Sequence, residues 1–171
     1  MKFLLGIVVG LLLLPAFAFL CLRLGYVPVA TSAPPLPFEK TLAGIALNAR
    51  IAKEAPAQSP VDASEPNLMA GAKNYRDYCS VCHGMSGESE SAAAKGMYPP
   101  PPQLLHGKGV TDDPVGETYW KAANGIRLTG MPAFRGSLTD EQLWQVSQLL
   151  ANANKLPATV VAFIASSPTA K

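Results

Sequence analysis

Polar residues are nearly absent from the first two dozen positions and return at Arg23, and this break organises the rest of the chain. Residues 3–22 form an apolar run interrupted only by Gly6, Gly10 and Pro15. About 20 such residues make an α-helix long enough to cross the hydrocarbon core of a bilayer. Residues 26–37 carry Pro28, Pro34, Pro35 and Pro37, a density that favours an extended, semi-rigid spacer. Over residues 38–55 the period becomes helical, with Phe38, Leu42, Ile45, Ala49 and Ala52 on one stripe and Lys40, Asn48 and Lys53 off it. A short amphipathic helix follows from this, its apolar stripe expected to pack on the downstream domain, with a membrane surface or a partner subunit as the other candidates. Residues 56–66, rich in Pro, Ser, Asp and Glu, read as a second linker.

Helical periodicity resumes downstream and no alternating strand pattern interrupts it. Leu68, Ala72, Tyr75 and Tyr78 share a face, with Asn67 as the candidate cap and Gly71 as a point where another helix can approach closely. Residues 114–123 place Val115, Tyr119 and Ala122 or Ala123 on one side, and Pro114 suits a first helical turn. Thr139-Asp140-Glu141-Gln142 has capping-box form ahead of a stripe of Leu143, Val146, Leu149 and Leu150 beside Trp144. That last amphipathic helix is expected to pack across the first. Residues 158–165 are apolar but too short to span a membrane, and their pattern assigns them no role. The chain therefore divides into residues 1–25, an anchor or signal peptide; 26–66, the linker with its helix; 67–156, one all-α domain; and 157–171, a tail.

Charge narrows the function by exclusion. The formal net charge is +2, and residues 67–156 hold eight basic and eight acidic residues. Neither a nucleic-acid surface nor a polybasic lipid patch is supported, and strong charge steering of a partner is not expected.

The candidate chemistry is concentrated at Cys79-Ser80-Val81-Cys82-His83. Two thiols at this spacing can form thioethers with the two vinyl groups of a haem, and the next imidazole then lies beneath the iron. A thioredoxin-like redox pair would need an alternating strand and helix context, and a zinc site would need a second pair of ligands. Neither is present in the pattern. An iron that only passes electrons usually needs a sixth ligand, and Met131, flanked by Gly130 and Pro132, is the best candidate because the turn they make can present its sulfur from a loop. Met69, Met85 and Met97 lie too near the attachment motif or lack such a loop. His106 is the one other histidine, a loop residue and the weaker candidate. Trp120 and Trp144 read as core or haem-edge packing, and Arg127 as a candidate partner for a haem propionate.

These residues resemble a class I c-type cytochrome domain over about half the chain. The resemblance is carried by the Tyr75-containing helix before Cys79-Ser80-Val81-Cys82-His83-Gly84, by Pro99 to Pro102 followed by Gln103-Leu104, and by Asn124-Gly125 followed by Gly130-Met131-Pro132. It implies an all-helical fold wrapped round one covalent haem c, single-electron transfer, and a backbone carbonyl from the proline run orienting the proximal imidazole. Tyr75, Pro100 and Arg127 are the further haem-pocket candidates.

The expected protein is thus an electron carrier and not an enzyme, either free or a subunit of a respiratory redox complex, with other redox proteins as partners and no nucleic acid. A haem enzyme or small-ligand sensor is the alternative, although no distal acid and base constellation is visible. Ala16-Phe17-Ala18 has the form of a signal-peptidase site, so a cleaved leader competes with an uncleaved anchor. The apolar run continues for four residues past Ala18 and fits the full hydrocarbon thickness, which favours the anchor. Bulky Leu20 argues against lipidation of Cys21. The motif orients the rest: amino terminus inside, domain in the periplasm or outside the cell.

Overall fold

The computed structural model describes residues 2–86, 90–106 and 113–166, and among them it is all-helical, with no strand. It falls into two compact units, Met1–Glu39 and Lys40–Lys171. In the first, α1 (Lys2–Arg23) runs unbroken through Pro15. The window Gly6–Arg23 has a mean hydropathy of 2.2 and none of it is buried, so by length and composition α1 qualifies both as a membrane span and as a signal sequence.

The second unit contains α2 (Glu39–Glu54, from Lys40), α3 (Glu65–Tyr78), α4 (Ser80–His83), α5 (Ala92–Lys95), α6 (Val115–Asn124), α7 (Asp140–Ala151) and α8 (Ala158–Ser166). Its centre is the crossing of α3 and α7. Glycine at position 71 makes that crossing close: a Cβ there would lie 2.8 Å from Gln145 C, in harder collision with Gln145 O, and 3.1 Å from Leu149 Cβ. Leu68, Ala72 and Tyr75 of α3 meet Val146, Leu149 and Leu150 of α7 in one buried cluster. A second cluster joins α6 to α7, with Tyr119 stacked on Trp144 at 4.0 Å between ring centroids. Each fully buried Leu here is worth roughly 1.5–3 kcal/mol of transfer free energy.

Helix ends refine the sequence reading. The cap of α3 is Ser64, with Pro66 in the first turn, and Asn67 instead donates its amide to Asp62 Oδ1 at 2.6 Å. Proline supplies a fixed φ but no N–H, and so suits an early position that needs none; Pro114 likewise sits at the cap of α6, one residue before the helix begins. The capping box of α7 is formed: Gln142 N donates to Thr139 Oγ1 at 3.2 Å and Thr139 N donates to Gln142 Oε1 at 2.9 Å. Thr139→Ala is expected to cost about 1 kcal/mol, measured as a lowered midpoint in chemical denaturation with the slope unchanged.

Two elements differ from expectation in a way that matters. The stripe expected to pack from α2 faces solvent, with Leu42 64% and Ile45 63% exposed, while Ile51 is 5% exposed. The reason lies at the carboxyl end of the helix. Glu54 Oε2 accepts from Trp120 Nε1 at 3.1 Å, and the carbonyl of Pro56 sits against Gly116, where a Cβ would come within 2.9 Å of Pro56 C. Docked there on α6, α2 turns Ile51 inward whatever its longer stripe prefers. The tail helix α8 is a core element: Val160 and Ile164 are buried in the α3–α7 cluster, and the Arg76 guanidinium lies 5.1 Å from the centre of the Phe163 ring.

Candidate haem site

The attachment motif is a single helical turn grafted on the end of α3. Cys82 N and His83 N both donate to Cys79 O, at 3.1 and 2.9 Å, which puts the two thiols on one side of the turn with the imidazole beside them. Cys79 and Cys82 carry free thiols and form no disulfide. Burial, with Cys82 adding to it, pushes the Cys79 thiol up to about 12, so it stays protonated at neutral pH. Tyr75 braces the turn from below: its hydroxyl donates to Gly84 O at 2.8 Å, and burial raises its phenol so that it remains a donor.

His83 is held by a second contact. Its Nδ1 lies 2.7 Å from the carbonyl oxygen of Pro102. Burial lowers the imidazole below the ordinary histidine range, and the Pro102 carbonyl, which favours the charged form, opposes this. A neutral ring with Nδ1–H committed to a carbonyl leaves Nε2 as the nitrogen able to bind a metal.

Opposite in sequence stands the loop after α6. Gly125 has φ of +67°, a conformation L side chains rarely adopt, and a Cβ there would lie 2.7 Å from Ala133 N. Ile126 N donates to Met131 O at 3.2 Å and Met131 N to Thr129 Oγ1 at 3.1 Å, so residues 125–131 form a closed loop fixed at both ends. Phe134 N donates to Ala122 O at 3.0 Å and ties the loop back to α6.

Between these parts lies a cavity of about 270 Å³. Close-packed interiors leave few voids larger than a water molecule, so a space of this size is built for a guest. Cys79, Cys82, His83, Pro100 and Met131 all line it, and most of the remaining wall is apolar, with Tyr78, Met97, Leu104, Ile126, Phe134, Val146 and Leu150 among its members. Two free thiols for attachment, an imidazole with one nitrogen free and a methionine on an apolar wall fit a covalent haem. Among the described residues no cluster of three or more His, Cys, Asp or Glu side chains competes as a metal site.

Other candidates lie elsewhere. Tyr75 is fully buried beneath the motif and is not on the cavity wall; Tyr78, one turn later, is on it, with its ring edge-on to Phe134 at 6.3 Å. Arg127 and His106 are exposed and off the wall, and residues 107–109 of the His106 loop lie outside the described residues. Four wall residues, Leu47, Asp113, Thr118 and Lys121, escaped the sequence reading. Lys121 lines the cavity between Glu117 Oε1 at 2.6 Å and Asp113 Oδ2 at 3.3 Å. Its position on the inner face of α6, one turn after Glu117, was the available signal. Leu47 reaches the wall from α2, where it stands one turn before Ile51.

An all-helical domain around an apolar cavity, with a Cys-x-x-Cys-His turn on its wall, defines a class I c-type cytochrome. Residues 66–150 match the family model described as cytochrome C oxidase, cbb3-type, subunit III, and this stretch belongs to the class I c-type cytochromes. Membership brings with it a covalently bound haem c and electron transfer as the role of the domain. No curated protein matches the chain. Among solved structures, the chain is similar to one from the reducing HAO-like protein complex of Kuenenia stuttgartiensis, at 23% identity and a TM-score of 0.49 over 57% of this chain and 48% of that one. The chain thus spans about half the length of that relative.

Proposed function

We propose that the chain carries a single haem c, held by thioethers through Cys79 and Cys82 and ligated axially by His83 and Met131, and that it passes electrons one at a time beside a membrane. The observation carrying this reading is the convergence of those four side chains on one cavity. The haem supplies a one-electron iron couple. Everything else is the work of the chain: the Pro102 carbonyl orients the imidazole and strengthens it as a donor, the Gly125 loop holds the Met131 sulfur, and the apolar wall keeps water away. Among the described residues Lys121, already paired with Glu117 and Asp113, lies on the cavity wall, whereas Arg127 is exposed and off it.

Helix α1 acts as an uncleaved anchor with its amino terminus in the cytoplasm, so that the cytochrome domain works on the outer, periplasmic face. Its partners are redox proteins or subunits of a respiratory complex, approached without strong steering because the domain is close to neutral. Redox titration of the purified chain followed by its visible spectrum is the direct test. The expected result is a low-spin haem in both states, one one-electron step, and a protein mass increased by one haem. A high-spin ferric spectrum would overturn the ligand pair and move the chain toward ligand sensing or haem enzymology.

A further inference from the structure

We infer that α2, which lies upstream of the matched cytochrome stretch, is a working part of the haem pocket, with Leu47 closing its wall beside α6. This rests on the haem reading above and goes beyond it, since residues 66–150 are where the family resemblance ends. Four observations place the helix. Leu47 lines the same cavity as Cys79, Cys82, His83 and Met131. Ile51, one turn on, is 5% exposed and forms the buried seat. Glu54 accepts from Trp120, and the backbone at Pro56 fits against Gly116 where no side chain has room. Farther along the same connection, Gln148 Nε2 donates to Val61 O at 2.6 Å, and Val61 packs on the α6–α7 cluster. The segment is therefore pinned on α6 and α7 at three levels, and its apolar leucine faces the guest.

The consequence is electrostatic. Iron charge is less well stabilised where the wall is apolar and water is excluded, so the oxidised, more positive state is disfavoured and the reduction potential is held up. The wall is not uniformly apolar, because Asp113, Thr118 and Lys121 also line the cavity. Leu47 is the apolar cover on a stretch of wall that would otherwise admit water to the cavity. It acts on the haem environment and not on the iron directly, which makes it a positioning and shielding residue.

The test uses the full chain loaded with haem. Leu47→Asp is compared with Leu42→Asp, the same charge on the same helix but at a residue that is 64% exposed. Two quantities are read: the midpoint potential and the rate at which imidazole binds the ferric haem. Leu47→Asp is expected to lower the potential and to speed imidazole binding several-fold, with Leu42→Asp matching the wild type on both. Leu47→Ala, which opens the wall without adding charge, is expected to shift both readings in the same direction by less, and it carries the test if the aspartate variant does not accumulate. Equal potentials and equal binding rates for wild type, Leu47→Ala and Leu42→Asp, with the low-spin spectrum intact, would overturn the role of α2 while leaving His83 and Met131 as ligands. A wild-type chain without covalent haem would overturn the parent reading, and this one with it.

Discussion

Met131→Ala is expected to turn the ferric haem from low-spin to high-spin, to open the iron to added imidazole, and to drop the reduction potential. Thioether sulfur is a soft donor that favours the ferrous state, and a His and Met pair accordingly holds a haem at high potential. Axial ligands move haem potentials over roughly 0.8 V, and losing this one is expected to cost on the order of 0.1–0.3 V. A second sulfur complicates the site in a useful way. Met97 also lines the cavity, and a Cβ at Gly130 would lie 2.7 Å from its Sδ. It therefore packs against the backbone of the very loop that presents Met131. Met97→Leu alone is expected to leave the spectrum unchanged, because that sulfur fills space against Gly130. A low-spin ferric spectrum surviving in the Met131→Ala, Met97→Leu double variant would exclude thioether ligation from this side altogether.

How much of this was legible in the sequence follows from how local each signal is. The Cys79 to His83 turn is written in consecutive residues, and the Gly125 to Met131 loop is closed by bonds within seven positions, so both are readable without knowing the fold. The capping box at Thr139 is equally local. The crossing faces of α3 and α7 were readable from their period, but faces set by docking elsewhere were not. In α2 the periodic stripe from Phe38 to Ala52 reads as the packing face, but with Pro56 seated against Gly116 the helix places Leu47 on the cavity wall and buries Ile51. Tyr75 and Tyr78 share an apolar spacing, yet only Tyr78 reaches the cavity, because Tyr75 points beneath the motif to Gly84. The tail helix offered apolar composition without a partner, and its partner, the outer edge of the α3–α7 cluster, exists only once those two helices have crossed.

That crossing sets the second large effect. Gly71→Ala is expected to destabilise the folded domain by about 2 kcal/mol or more, although alanine is the better helix former by roughly 0.8–1.0 kcal/mol. Overpacking a core by a methylene usually costs ~1–3 kcal/mol because side chains shift aside. Here the obstruction is the backbone of Gln145, which has no rotamer to change, so α3 and α7 must separate and loosen Leu68, Ala72 and Leu149 together. Gly44→Ala in α2 supplies the control, since nothing lies within 4 Å of a Cβ there and helix propensity alone should stabilise it. Thermal or guanidinium unfolding of the two variants side by side separates the terms, and equal stability would mean that the crossing has slack. The effect should also reach the haem: α7 lends Val146 and Leu150 to the cavity wall, so pushing it away from α3 withdraws apolar cover from the site. A Gly71→Ala chain that still incorporates haem is then expected to titrate at a lower potential than wild type, which ties the packing of one glycine to the chemistry of a cavity it does not touch.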